Sequence, residues 1–203
     1  RENMDFAADV LHLLKLGLRH VSVEPVVTKN EKFALKEEDL PRLYGEYDRL
    51  AQAYLDAYFS GKPFNFFHFS VDLLKGPCVA KRLNGCGAGV EYIAVTPEGD
   101  IYPCHQFVGN LAFRMGNVLE NGIENLELVS QFENAHIYNK EACRKCWARF
   151  FCSGGCHANA CNFNGDILKP HELSCELQRK RIECSLYIQS QILSFERAQE
   201  AFR

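Results

Sequence analysis

"CRKCWARFFCSGGC", residues 143–156, sets four cysteines within fourteen positions, beside a Trp, two Phe, three basic residues and a Gly-Gly pair. The whole chain holds ten cysteines, and none lies before Cys78. Secreted disulfide scaffolds are usually shorter and poorer in long helical segments, so metal or cluster binding in a reducing compartment is the expected use. A C-x2-C pair such as Cys143 and Cys146 brings two thiolates to one centre from a tight turn. Gly154 and Gly155, lacking side chains, let their N–H groups approach a sulfur closely. A [4Fe–4S] core with four thiolates carries a charge of about −2 and favours nearby donors and cations. Arg144, Lys145 and Arg149 could supply them, or could be solvated surface residues.

Outward from this stretch, the spacing is C-x7-C (Cys78, Cys86), then C-x12-G-x4-C from Cys86 through Gly99 to Cys104. After a gap comes C-x2-C-x5-C-x3-C (Cys143, Cys146, Cys152, Cys156), then Cys161, Cys175 and Cys184. Gly99 permits the hairpin turn that returns Cys104 to the neighbourhood of Cys86.

Residues 1–75 read as α/β. Phe6, Val10, Leu13 and Leu14 recur at helical spacing, with Gly17 closing the helix. "HVSVEPVV" (20–27) reads as a strand stopped at Pro25. Leu40, Leu43, Tyr44, Tyr47, Leu50, Ala51, Tyr54, Leu55 and Tyr58 form one apolar stripe, with Asp39 as cap and Pro41 in the first turn. "FNFFHFSVDL" (64–73) reads as a second strand, which makes a βαβ unit and hence a piece of parallel sheet or barrel. From residue 76 the character changes to α+β. "EYIAVTPEGDIYPC" (91–104) predicts a hairpin turning at Pro97–Asp100. Gly116 and Gly122 punctuate a loop, "IENLELVSQFENAHIY" (123–138) predicts a helix, and 176–203 reads as a final helix.

The chain's 203 residues suffice for one core and a smaller module, and 47% hydrophobic with 24% charged residues is an ordinary globular composition. A net charge of −3 gives no reason to expect a nucleic acid or an anionic membrane as partner. No apolar run reaches bilayer length, so a soluble segment is expected; with cysteines used in a reducing compartment, the expected location is cytoplasmic. The chain opens on Arg1 in a helical context, and the expectation is the C-terminal part of something longer.

The order C-x12-G-x4-C, gap, C-x2-C-x5-C-x3-C, gap, C resembles the seven-cysteine SPASM signature of radical S-adenosylmethionine (SAM) peptide and protein maturases. The stretches "GCGAGVEYIAVTPEGDIYPCHQFVG" (85–109) and "CSGGCHANA" (152–160) further resemble maturases of ranthipeptides (six cysteines in forty-five residues), which install thioether links from Cys sulfur to carbon in ribosomal precursor peptides. The resemblance implies two auxiliary [4Fe–4S] clusters. Cys86, Cys104 and Cys156 would ligate the first, with Cys78 as upstream fourth ligand. Were Cys78 not a ligand, its iron would be open to a substrate thiolate. Cys143, Cys146, Cys152 and Cys175 would ligate the second. Residues 1–75 would be the closing βα units of a partial (β/α)6 radical SAM barrel, 76–175 the SPASM domain and 176–203 the C-terminal helix.

The resemblance also implies a full-length oxidoreductase that uses SAM and a third [4Fe–4S] cluster, acts on a Cys-rich precursor peptide, and takes electrons from a donor such as a ferredoxin or flavodoxin. The C-x3-C-x2-C motif of the SAM cluster is not found here, since Cys152-x3-Cys156 is followed by Cys161 at x4. The chain by itself is therefore expected not to cleave SAM.

Structural zinc is the chemical rival, but zinc usually pairs one C-x2-C with another of similar form. A redox "CRKC" is disfavoured because it does not open a helix after a strand in a βαβ unit. Cys161 and Cys184 match no ligand position and read as small buried hydrophobes. His105 and His157 each follow an expected ligand and read as structural histidines or outer-shell donors. Trp147, Phe150 and Phe151 are expected to shield a cluster from water. Glu24 reads as a strand-end carboxylate at a barrel mouth. Against the enzyme reading stands a peptide-binding module whose iron–sulfur or zinc sites act only as folding staples.

Overall fold

A computed structural model describes residues 3–26, 28–71 and 83–201. Cys78 and the end of the 64–73 stretch lie outside the described residues. In chain order the helices are α1 (Phe6–Lys15), α2 (Leu40–Phe59), α3 (Leu126–Glu133), α4 (Glu141–Arg144), α5 (Arg149–Cys152), α6 (His157–Asn164) and α7 (Glu172–Ala201). The strands are β1 (His20–Val21), β2 (Asn65–Phe66), β3 (Ala94–Val95), β4 (Asp100–Tyr102), β5 (Gly116–Asn117) and β6 (Gly122–Ile123). The chain divides into one unit of Arg1–Val26, Asn30–Gly76 and Cys175–Arg203, and another of Val27–Lys29 and Pro77–Ser174.

In the first unit β1 and β2 pair in parallel, His20 opposite Asn65 and Val21 opposite Phe66, with α2 as the crossover. The expected βαβ unit is present, but its strands are two residues each. After β1 the chain leaves the sheet at Ser22, and after β2 it tightens into a 3-10 turn, Phe67–Phe69. The α2 stripe faces inward as the sequence periodicity requires: Leu43, Tyr47, Leu50, Ala51 and Leu55 are buried. Asp39 does not cap α2 through its side chain. Its carboxylate accepts from the Lys36 amide at 2.8 Å and closes the preceding 3-10 turn, Glu37–Asp39.

Aromatic edges complete this core. Phe6 meets Tyr47 at 4.9 Å between ring centroids, and Phe66 meets Phe69 at 5.0 Å. From Cys175 onward α7 belongs to the same unit. There Tyr44 donates to Glu176 at 3.1 Å and Lys180 pairs with Asp48 at 2.7 Å.

Glu24 and His68 follow the C-terminal ends of β1 and β2 and meet there. The Tyr47 hydroxyl donates to His68 Nδ1 at 3.0 Å, and His68 Nε2 donates to Glu24 Oε1 at 2.8 Å. Both ring nitrogens are thus satisfied by the neutral imidazole. Burial pushes the His68 pKa below its ordinary value, partly opposed by the Glu24 hydrogen bond, so at neutral pH this contact is a hydrogen bond between a neutral ring and a carboxylate. Burial alone would raise Glu24, but the His68 bond, its field and Arg181 hold it below the usual carboxylate value.

The sign of the pH effect follows. Between the folded pKa of His68 and about 6.5, the unfolded chain binds a proton that the folded chain does not, so stability falls with falling pH through that window. Glu24, depressed in the fold, adds a loss in the same direction at lower pH. The unfolding midpoint is expected to drop between pH 7 and pH 5, and His68→Gln to flatten that slope in urea titrations. An unchanged slope in the variant would contradict the neutral, buried assignment.

The second unit is built on an antiparallel meander, β3-β4-β5-β6. The expected hairpin is present, with Ala94 opposite Tyr102 and Val95 opposite Ile101, and Gly99 at φ +89° in its turn. The stretch between Gly116 and Gly122, read from sequence as loop, is instead strand-paired: Gly116 lies opposite Ile123 and Asn117 opposite Gly122. Two glycines hid the strand signal, and close backbone approach is what they serve. A Cβ on Gly116 would come 1.9 Å from the Gly122 carbonyl oxygen. Asn117 ties the turn by donating to the Glu98 carbonyl at 3.0 Å and to Asp100 Oδ1 at 3.0 Å.

The core under this sheet gathers Ile101, Tyr102, Phe107, Met115, Leu128 and Phe132, and Cys104 is part of it. The helix expected over 123–138 is only α3, because Asn125 caps it by accepting from the Leu128 amide at 3.0 Å and Asn134 ends it.

Candidate metal centre

Six of the expected ligands fall into two groups of three within the second unit. Cys104 follows β4 and Pro103 and opens the 3-10 turn His105–Phe107. Cys86 sits in a glycine-flanked turn that is tied to the same strand end, since the Gly89 amide donates to the Pro103 carbonyl at 2.9 Å. Cys156 precedes α6, and its carbonyl accepts from the Ala160 amide at 3.0 Å. Gly85 lies against the loop that carries Cys156: an added Cβ would meet the Ser153 carbonyl oxygen at 3.1 Å and that of Gly155 at 3.9 Å.

Cys86 and Cys156 both lie within electrostatic reach of Cys104. Burial pushes the Cys104 thiol up, the Gln106 and Phe107 amides that donate to it pull it down, and Cys156 and Cys86 push it up again. A pair of backbone N–H groups aimed at a buried sulfur suits a thiolate that ligates a metal centre.

The second group is Cys143 on α4, Cys146 just beyond it, and Cys152 at the end of α5. The Cys146 amide donates to the Cys143 carbonyl at 3.1 Å, which forms the tight turn expected of C-x2-C. Burial raises the Cys143 thiol first of all, Lys140 lowers it, and Cys152 and Cys146 raise it. Cys152 is likewise raised by burial, lowered by the Gly154 and Gly155 amides and by Lys140, and raised by Cys146.

The Gly-Gly pair therefore does what its sequence suggested. Ser153, Gly154 and Gly155 have φ of 61°, 90° and 72°, a left-handed run that turns two successive amides toward the sulfur of Cys152. Cys175 lies half-buried on α7, in the part that belongs to the first unit.

This chemistry fits an anionic, thiolate-ligated iron–sulfur centre: soft sulfur donors in threes, with N–H donors and a buried cation around them. Among the described residues, no three His, Cys, Asp or Glu side chains are drawn around a single point as one metal ion would need.

The remaining expectations divide. Cys161 packs partly buried against the core, and Cys184 is buried in the first unit. Burial, with Asp48 and Glu183, pushes the Cys184 thiol up to about 12 against the pull of Lys180. His157 is buried against Phe132 and donates from Nε2 to the Ala135 carbonyl at 3.2 Å, which makes it a structural histidine. Burial and Lys140 drive its pKa down to about 4. His105 is exposed and meets the Tyr92 hydroxyl at 3.3 Å.

Trp147 does not shield a centre from inside the fold. It is 52% exposed, because the tiny Ala148 takes the inward position of that turn. Arg144 and Lys145 are solvated, while Arg149 donates to the Cys146 carbonyl at 3.2 Å and lies over Phe150 at 4.7 Å. Among the described residues, the cation within reach of the Cys143 and Cys152 thiols is Lys140, which sequence reasoning missed.

Residues 86–147 match SPASM, an iron-sulfur cluster-binding domain. Mycofactocin maturase MftC of Mycolicibacterium smegmatis is 35% identical over 97 residues, which is 46% of this chain and 24% of that protein. An uncharacterized protein of Archaeoglobus fulgidus is 29% identical over 99 residues, 48% of this chain and 24% of that protein. The chain thus spans about a quarter of the length of the curated relatives it matches.

Among solved structures, native anSMEcpe with bound AdoMet and Kp18Cys peptide superposes with a TM-score of 0.63 at 17% identity, covering 93% of this chain and 55% of that one. That likeness shows a shared fold, mixed helix and sheet. The matches bear out the similarity, read from cysteine spacing, to the SPASM portion of a radical SAM maturase. No helix among the described residues is long and apolar enough to cross a membrane.

Proposed function

We propose that this chain is the auxiliary-cluster portion of a radical SAM maturase that forms thioether links, Cys sulfur to carbon, in a ribosomal precursor peptide. The grouping of six cysteines as three and three, each around a sulfur that receives two backbone N–H bonds, supports this reading above all. Cys86, Cys104 and Cys156, with Cys78, hold one [4Fe–4S] cluster. Cys143, Cys146 and Cys152, with Cys175 as the seven-cysteine spacing implies, hold the other.

Bound there, such clusters supply thiolate-binding iron and one-electron chemistry. The chain's own part is to donate hydrogen bonds to the sulfur of Cys104 from the Gln106 and Phe107 amides and to that of Cys152 from the Gly154 and Gly155 amides. The short strands β1 and β2 with α2 are the closing βα units of a partial barrel. The SAM site and a third cluster belong to the whole protein, which draws on a ferredoxin- or flavodoxin-like donor in the cytoplasm.

The test adds a Cys-containing precursor peptide to the anaerobically reconstituted chain, and in parallel its Cys→Ala version. A saturable change in the cluster's electron paramagnetic resonance or visible spectrum is expected with the first peptide only. No change with either would favour clusters that serve only as folding staples.

A further inference from the structure

Lys140 has no solvent exposure at all, although lysine is among the residues least often fully buried. Its place is built rather than accidental. The Lys140 carbonyl starts α4 by accepting from the Cys143 amide at 3.0 Å and the Arg144 amide at 3.2 Å, so its side chain leaves the chain at the base of the Cys143–Cys146 turn. Its ammonium donates to the Gly154 carbonyl at 2.8 Å. Opposite it, Gly154 leaves the room that the lysine needs: a Cβ there would meet Lys140 Nζ at 3.3 Å and Cδ at 3.5 Å.

The Gly154 carbonyl and the Gly155 amide belong to one peptide group. Lys140 grips its oxygen, and its N–H points at the sulfur of Cys152. An ammonium on a peptide oxygen polarises that peptide and strengthens its N–H as a donor. A buried cation is stabilised by nearby negative charge, and Lys140 lies within electrostatic reach of Cys143 and Cys152, whose sulfurs turn anionic on ligation.

We propose that Lys140 is the buried counter-cation of the second cysteine group and tunes its iron–sulfur centre to accept an electron, so that this centre is a redox relay and not a folding staple. The proposal rests on the cluster reading above. One electron from a low-potential one-electron donor adds one negative charge to the site, with no bond made or broken and no proton moved. A fixed positive charge stabilises the reduced, more negative state over the oxidised one. Lys140 acts through the peptide and through space, as a positioning residue.

The test compares the wild-type chain with Lys140→Met, which loses charge and hydrogen bond, and Lys140→Gln, which keeps a donor for Gly154 and loses the charge. Each is reconstituted anaerobically, assayed for iron and sulfide, and titrated with dithionite under electron paramagnetic resonance. The Cys146→Ala chain identifies which signal belongs to the second group.

Both variants are expected to load fully and to shift that signal alone, the reduced-to-oxidised ratio at fixed potential falling at least about tenfold, equivalent to about 59 mV for one electron. Three results would overturn the proposal: full loading with unchanged potentials, a shift in Lys140→Met but not in Lys140→Gln, or loss of that centre's iron from both variants. A wild-type chain that takes up no iron would instead remove the cluster reading beneath it, and the proposal with it.

Discussion

Cys146→Ala is expected to strip about half of the iron from the reconstituted chain and leave the rest in place. Cys146 belongs with Cys143 and Cys152, which are within its electrostatic reach, whereas Cys86, Cys104 and Cys156 form a group of their own. Removing one thiolate from a four-ligand site leaves a cluster iron without its protein ligand and exposes it to water and loss. Cys184→Ala is the matched control. That thiol is buried in the first unit and approaches Asp48 at 3.9 Å, so its loss should cost some stability and no iron. Iron and sulfide per chain read both outcomes. Equal loading in Cys146→Ala and wild type would overturn the grouping.

Gly116→Ala is expected to cost about 3–5 kcal/mol of stability, through collision and an unfavourable backbone conformation together. The added methyl would fall 1.9 Å from the Gly122 carbonyl oxygen, at φ +150°, in the middle of the meander. Neither backbone can yield without breaking the pairing of β4 with β5 and β5 with β6. Gly122→Ala separates strain from collision, since its φ is +76° and nothing lies within 4 Å of the added Cβ, so about 1–2 kcal/mol is expected there. Because Ile101 of the same sheet and Met115, just before β5, pack in the core that contains Cys104, the Gly116 variant should also load iron poorly at the first group. Urea unfolding of the two variants side by side decides it. Equal costs would mean that β5 and β6 are not held as close as the pairing requires.

The sequence made the cysteine framework legible because ligand spacing is local: C-x2-C and the Gly-Gly pair each act within a turn, and both do in the fold what their spacing suggested. The α2 stripe was legible for the same reason, being periodic over twenty residues. Strand lengths were not. Val-rich "HVSVEPVV" pairs for only two residues, since the partner strand turns away at Phe67, a tertiary event with no local mark. The strand at Gly116 was obscured because glycine is what the close sheet contact demands and also what a loop would show. Lys140 was invisible in "NKEACRKC", where it looks like any surface lysine. Its distant neighbour Gly154, which leaves space for it and whose carbonyl accepts its hydrogen bond, shows that it is built into the fold. Trp147 misled in the opposite way, because a large aromatic suggests burial while Ala148 occupies the inner position.

Iron and acid-labile sulfide per chain after anaerobic reconstitution, with Mössbauer spectra of the iron-57 protein, test the central claim most directly. Two cubane clusters predict about eight irons and eight sulfides per chain, all in [4Fe–4S] signals. A colourless chain holding zinc in place of iron, or one whose cysteines oxidise to disulfides without taking up metal, would contradict it.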